Sequence, residues 1–180
     1  MNFARNTLRR LAGETRGAEI AEAAAVLPIM FMMILGIFWF GQAFSIYGTI
    51  TRAAQDGARA AVAPYCMTCS TLNTPSVNAF NAVLSALTAA HLDSGQIIAL
   101  NKWTPPAPVD CTTGSAAAYT DTGNVRVHTH VKLSQTFGTG AVCGVSVSFA
   151  YPYGFFLPFT SLNKQNIQLQ AVAQVRMEAQ

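Results

Sequence analysis

Residues 17–51 read GAEIAEAAAVLPIMFMMILGIFWFGQAFSIYGTIT, and from Ala23 to Thr51 no side chain carries a charge. The uncharged run is 29 residues long, against the roughly 20 that a helix needs to cross bilayer hydrocarbon. In lipid, every backbone N–H and C=O has to be satisfied within the segment, which leaves a helix as the economical conformation. A buried helix of a soluble core is the alternative, but soluble helices of this length carry a polar face and this one lacks it. The expectation is a single spanning helix with residues to spare.

At the mouth of that run stands Glu22. An ionised side chain costs roughly 2.5 kcal/mol or more at the bilayer centre, so a carboxylate at the edge of the apolar core needs a partner or a purpose. Sitting among lipid headgroups with no specific role is the other reading. Farther along, Pro28 removes one backbone hydrogen bond and crowds the carbonyl of Ala24, which predicts a bend or a tolerated membrane proline. Gly41, Ser45 and Gly48 recur along one helical face. Small residues there let helices approach closely in lipid, although they are also common in spans without such contacts.

The flanking charges orient the helix. Before it lie Arg5, Arg9, Arg10 and Arg16 against Glu14, and after it Arg52 and Arg59 with Asp56. The excess of Arg on the amino-terminal side predicts that this end stays cytoplasmic. The whole chain has 11 basic and eight acidic residues; removing the four and one that precede residue 18 leaves seven of each. Its net charge of +3 therefore resides in the leader and gives no reason to expect nucleic acid as a partner.

A secretory signal would put its apolar core before the cleavage site, so that the rest of the chain leaves the membrane. Here any cut that fits the charge pattern comes before the apolar run. Cleavage after Gly17 would make Ala18 the new terminus and leave 163 of 180 residues, led by the hydrophobic helix. The new amine at Ala18 and the Glu22 carboxylate would then lie four residues apart on one helix face. They could neutralise each other, or each a neighbouring subunit, and in low dielectric an intersubunit pair would enforce axial register.

The basic leader, Gly17, Glu22, the run broken by Pro28, and DGARAAVA from Asp56 to Ala63 together resemble a class III, type IV-like prepilin, most closely the TadE-like pseudopilins of tight-adherence pili. The tail adds to this: SVSFAYPYGFF followed by NIQLQAVAQVRME, ending in Arg176 and Glu178, is similar to the strand pair that closes many TadE-like domains. Where adhesive pilins of this group usually follow the Glu with Tyr, this chain has Ala23. The resemblance implies a non-catalytic minor pilin or pseudopilin. Its partners would be a prepilin peptidase acting at Gly17 and Ala18, other pilins, the inner-membrane assembly platform and the bilayer. It also implies an inner-membrane, single-pass protein, with the option of incorporation into an extracellular pilus.

Beyond Thr51, alanine favours continued helix, while Arg52, Asp56 and Arg59 fall three or four apart. The helix should reach about Ala63 and end at Pro64. Residues 1–17 then form a leader, 18–63 a spanning and protruding helix, and 64–180 a small periplasmic domain.

In that domain Thr74 and Pro75 have the character of an N-cap and first turn. Val77, Phe80, Val83, Leu84, Leu87 and Leu92 supply helical periodicity as far as Leu92. Strand signals follow in QIIALNKW, NVRVHTHVKLSQTF, CGVSVSFAYPY and NIQLQAVAQVRME. The segment from Pro105 to Gly123 reads as a turn-rich connection. Phe155, Phe156, Leu157 and Phe159 could cap the core or form a contact surface for membrane or another subunit. The fold class is α+β, a helix laid on an antiparallel sheet of about four strands.

Cys66, Cys69, Cys111 and Cys143 all follow the span, on the side where disulfides persist. Three pairings are possible, and the spacing favours Cys66 with Cys69 and Cys111 with Cys143. A Cys-x-x-Cys dithiol can exchange disulfides, but CMTC follows a helix with no strand before it and lacks a thioredoxin-like surround. A four-cysteine zinc site would want a second close pair, not two residues 32 apart. His128 and His130 would share a face of a regular strand, yet two imidazoles are not a metal site. No nucleophile elbow, phosphate-binding glycine loop or paired catalytic carboxylates are visible.

The reading is a structural protein with no enzyme activity, cofactor or metal. An uncleaved single-span periplasmic scaffold of a secretion or pilus machine is the alternative, and a tethered thiol oxidoreductase a third.

Overall fold

The computed structural model describes residues 15–63, 74–100, 108–133, 142–154 and 166–177. Cys66, Cys69, Pro64 and the Phe155, Phe156, Leu157 and Phe159 group lie outside the described residues. The chain divides into two compact units, Met1–Gln42 and Ala43–Gln180. One long helix, α1 (Thr15–Val62), supplies the described part of the first and the opening of the second. It continues through Pro28 without a break.

Taken by itself, the first unit shows α1 as an apolar helix with exposed side chains. Ile20, Met32, Ile37 and Phe38 are each more than 60% exposed. This is the one candidate membrane span among the described residues, and its most apolar window has no buried residue. A helix from a soluble core would carry a buried stripe there; among the described residues this window carries none.

The second unit is α+β. Helix α2 (Pro75–Ala89) starts with Thr74 as N-cap and Pro75 in the first turn, as the sequence predicts. Its buried face is Ser76, Ala79, Val83 and Leu87, with Phe80 only partly covered. It stops before Leu92 because His91 adopts a positive φ of 57°. There the Leu92 N–H returns to the Leu87 carbonyl at 2.9 Å and the His91 N–H to Thr88 at 3.0 Å, a Schellman closure that satisfies the last carbonyls.

Strands β1 (Tyr119–Thr122), β2 (Val125–Leu133), β3 (Val142–Gly154) and β4 (Asn166–Arg176) form one antiparallel sheet in the order β1-β2-β3-β4. The β3–β4 pairing is unbroken from Gly144 opposite Arg176 to Gly154 opposite Asn166. On one face Val145, Val147, Phe149 and Tyr151 alternate along β3, joined by Val125 and Val127 of β2 and Ala171 and Ala173 of β4. They form one core with Ile50, Ala53, Ala54, Ala58 and Ala61 of α1 and the buried face of α2. Period-two alternation on the strands and i, i+3/i+4 spacing on the helices make these faces meet.

The count of four strands agrees with the expectation, but the first strand is a different segment. Of QIIALNKW, residues 101–103 lie outside the described residues; the described part, 96–100, holds the end of a short 3-10 turn (Ser94–Gln96) and one isolated bridge, Ile98 to Ala150. The position beside β3 is already taken by β2, so Ile98 can pair only beyond the end of that strand. The edge strand is instead YTDT, inside the stretch read as a connection.

It joins β2 through Gly123 and Asn124, with φ of 53° and 68° and Thr122 opposite Val125. Positive φ at both central residues of a two-residue loop is the type I′ turn that matches strand twist. Asn124 Nδ2 also donates to the Ile97 carbonyl at 2.8 Å. Phe80 of α2 lies over the turn: a Cβ on Gly123 would come within 2.9 Å of its Cδ2. Gly123→Ala therefore combines left-handed strain of about 1–2 kcal/mol with displacement of the ring. The expected cost is about 2 kcal/mol in chemical denaturation, falling in a Phe80→Ala background. An equal cost in both backgrounds would remove the steric part of this explanation.

Candidate assembly helix

The residues singled out for assembly lie on α1. Gly17 falls in its first turn, and Gly17, Glu19 and Glu22 are all exposed. Nothing lies within 4 Å of where a Cβ would stand on Gly17, Gly41 or Gly48. No contact within the described chain therefore requires glycine at those positions. Ser45 is exposed as well, and its carbonyl accepts a hydrogen bond from Thr49 Oγ1 at 2.9 Å.

At about 100° per residue, Ser45 and Gly48 point roughly opposite to Ile46 and Ile50, the first α1 side chains that pack on the core. The folded unit thus uses one face of α1 and leaves the small-residue face open. Farther along, Arg59 Nη1 lies 3.7 Å from Asp56 Oδ1. Both side chains are well exposed, so the pair adds little to stability.

Gly57, in the buried face of α1, permits a close approach of this helix to α2. A Cβ there would stand 2.7 Å from Val83 Cγ2 and 3.2 Å from the Ala79 carbonyl oxygen. The alanine-rich DGARAAVA stretch is thus the contact surface with α2 and the sheet, with Ala58 and Ala61 buried alongside.

Cys111 and Cys143 are joined by a disulfide, their Cα atoms 5.6 Å apart. This is the pairing the spacing favoured. The Cys111 segment is also tied to β2, by Cys111 N–H to the His130 carbonyl at 2.8 Å and Lys132 N–H to the Val109 carbonyl at 2.7 Å. Asp110 accepts from the backbone N–H groups of Thr112 at 2.7 Å and Thr113 at 2.9 Å. Hydrogen bonds from Thr112 and Thr113 lower its pKa to about 2.

The two strand histidines do not share a face. His128 opposes Ser146 and Val131 opposes Gly144, so β2 carries one extra residue between them. This is a β-bulge, with His130 at φ 58°. It leaves His128 buried and His130 exposed, because an extra residue breaks the alternation on which the shared-face reading rested. Among the described residues, no three His, Cys, Asp or Glu side chains gather as a metal site.

The sheet face opposite the core holds a polar group that the sequence reading missed. Arg126 donates from Nε to Asp121 Oδ1 at 2.9 Å and from Nη2 to Oδ2 at 3.0 Å. Its guanidinium lies 4.3 Å from the Tyr119 ring centroid. The Tyr119 and His128 rings are 5.5 Å apart. Small residues on β3, Ser148 opposite Arg126 and Ser146 opposite His128, leave room for these side chains. The signal was the alternation of YTDT and VRVH across a Gly-Asn turn.

Burial first, then the nearby Arg126, lowers the His128 pKa from its ordinary 6.5, and Asp121 opposes this only in part. The unfolded chain therefore takes up the proton first on acidification. Stability from this group is present above about pH 6.5 and is lost as pH falls from there through the folded pKa, at no more than about 1.4 kcal/mol per pH unit. Thermal melts between pH 7.5 and 5.5 should show this slope and His128→Gln should flatten it; an unchanged slope would assign it to another group.

Residues 17–59 match the family model described as TadE-like protein. The match covers α1 from Gly17 through the small-residue face, Gly57 and Arg59, and it fits a pilus-associated protein with one membrane-spanning helix. No curated protein and no solved structure matches the chain.

Proposed function

We propose that this TadE-like chain is a minor pilin or pseudopilin of a tight-adherence, type IV-like pilus, non-catalytic, held in the inner membrane by α1 until it is assembled. The carrying observation is the division of labour along α1. Its amino-terminal part is exposed and apolar, while the stretch from Ile50 onward is built into the folded core. Glu22 at the mouth of the span adds a charge that anchoring by itself does not require.

In this reading residues 1–17 are a cytoplasmic leader, 18–63 the assembly helix and 64–180 a periplasmic domain. The peptidase cuts between Gly17 and Ala18. The Glu22 carboxylate then meets the amine of a neighbouring subunit, where low dielectric makes an unpaired ion costly and so selects the axial register. Gly41, Ser45 and Gly48 offer the open face on which another pilin helix packs. The Cys111–Cys143 disulfide agrees with an oxidising compartment. Other pilins, the assembly platform and the bilayer are the partners.

Amino-terminal sequencing of the protein from peptidase-positive cells should begin at Ala18. A retained Met1 terminus would turn the reading to an uncleaved scaffold. Glu22→Ala is expected to leave membrane insertion intact and reduce recovery in sheared pili about tenfold, the effect of losing about 1.4 kcal/mol of subunit affinity. Equal incorporation of variant and parent would sink the docking role.

A further inference from the structure

We draw no further inference here: the strongest candidate, the outer edge of the sheet along β4 with its uncharged alternating residues from Ile167 to Val175, carries nothing because no observation in the structure shows which strand, of this chain or another, covers it.

Discussion

Replacing Cys111 and Cys143 together by serine is expected to destabilise the folded unit by about 4 kcal/mol. The bridge closes a loop with a sequence separation of 32, and the chain-entropy relation for a loop of that size gives roughly 3.7 kcal/mol at 25 °C. The enclosed loop contains β1 and β2, so without the bridge the unfolded chain regains freedom in two of the four strands. In detergent solution the thermal midpoint should fall by on the order of 15 °C. The parent chain under reductant should behave like the variant. The hydrogen bonds from Cys111 to His130 and from Lys132 to Val109 survive the substitution. A loss below about 1 kcal/mol would mean that these bonds, and not the covalent link, hold the segment.

Gly57→Leu is expected to cost about 3 kcal/mol or more, as inserting bulk into a packed contact does when the surroundings cannot yield. Glycine is a poor helix former, so at an exposed site a larger residue would stabilise α1 by nearly 1 kcal/mol. At Gly57 the sign reverses. The added carbon would meet Val83 Cγ2 at 2.7 Å and the Ala79 carbonyl oxygen at 3.2 Å, with Val147 Cγ1 at 3.5 Å. Val83 could rotate, but the carbonyl belongs to the backbone of α2 and can move only with that helix. Gly48→Leu is the matching control: a Cβ there meets nothing within 4 Å, and the unfolding midpoint of the domain should not fall. If the two variants melted alike, close contact of α1 with α2 would not be what requires glycine at position 57.

These two expectations rest on different levels of the molecule. The disulfide was legible as a pairing preference, because cysteines that flank a strand pair are natural partners. The need for Gly57 was not legible: DGARAAVA reads as good helix with a glycine in it, and nothing local says that another helix presses on that point. The same limit explains the strand that was misplaced. QIIALNKW has the apolar density of a strand, and YTDT the turn-forming look of a connection. Pairing is decided by which segment finds an unoccupied edge, and β2 fills the place that QIIALNKW would take. His128 and His130 failed as a shared face for a related reason, since a single bulge shifts the alternation and no residue type announces it.

What the amino-acid order settled alone was α1. A run of 29 uncharged residues placed in lipid has to satisfy its backbone within the segment, so helix follows from local physics without reference to any partner. The N-cap and first turn of α2 at Thr74 and Pro75, and the alternating patterns of β2 to β4, are local in the same sense.

The tertiary structure decided where the apolar run stops serving a membrane and starts serving a core. Sequence sees one continuous hydrophobic stretch from Ala23 to Thr51, whereas the fold packs Ile46 and Ile50 onto the domain. That leaves residues 23–45, about 35 Å of helix at 1.5 Å per residue, close to the roughly 30 Å of hydrocarbon. Burial is a property of two surfaces brought together, and a chain read one residue at a time displays only one of them.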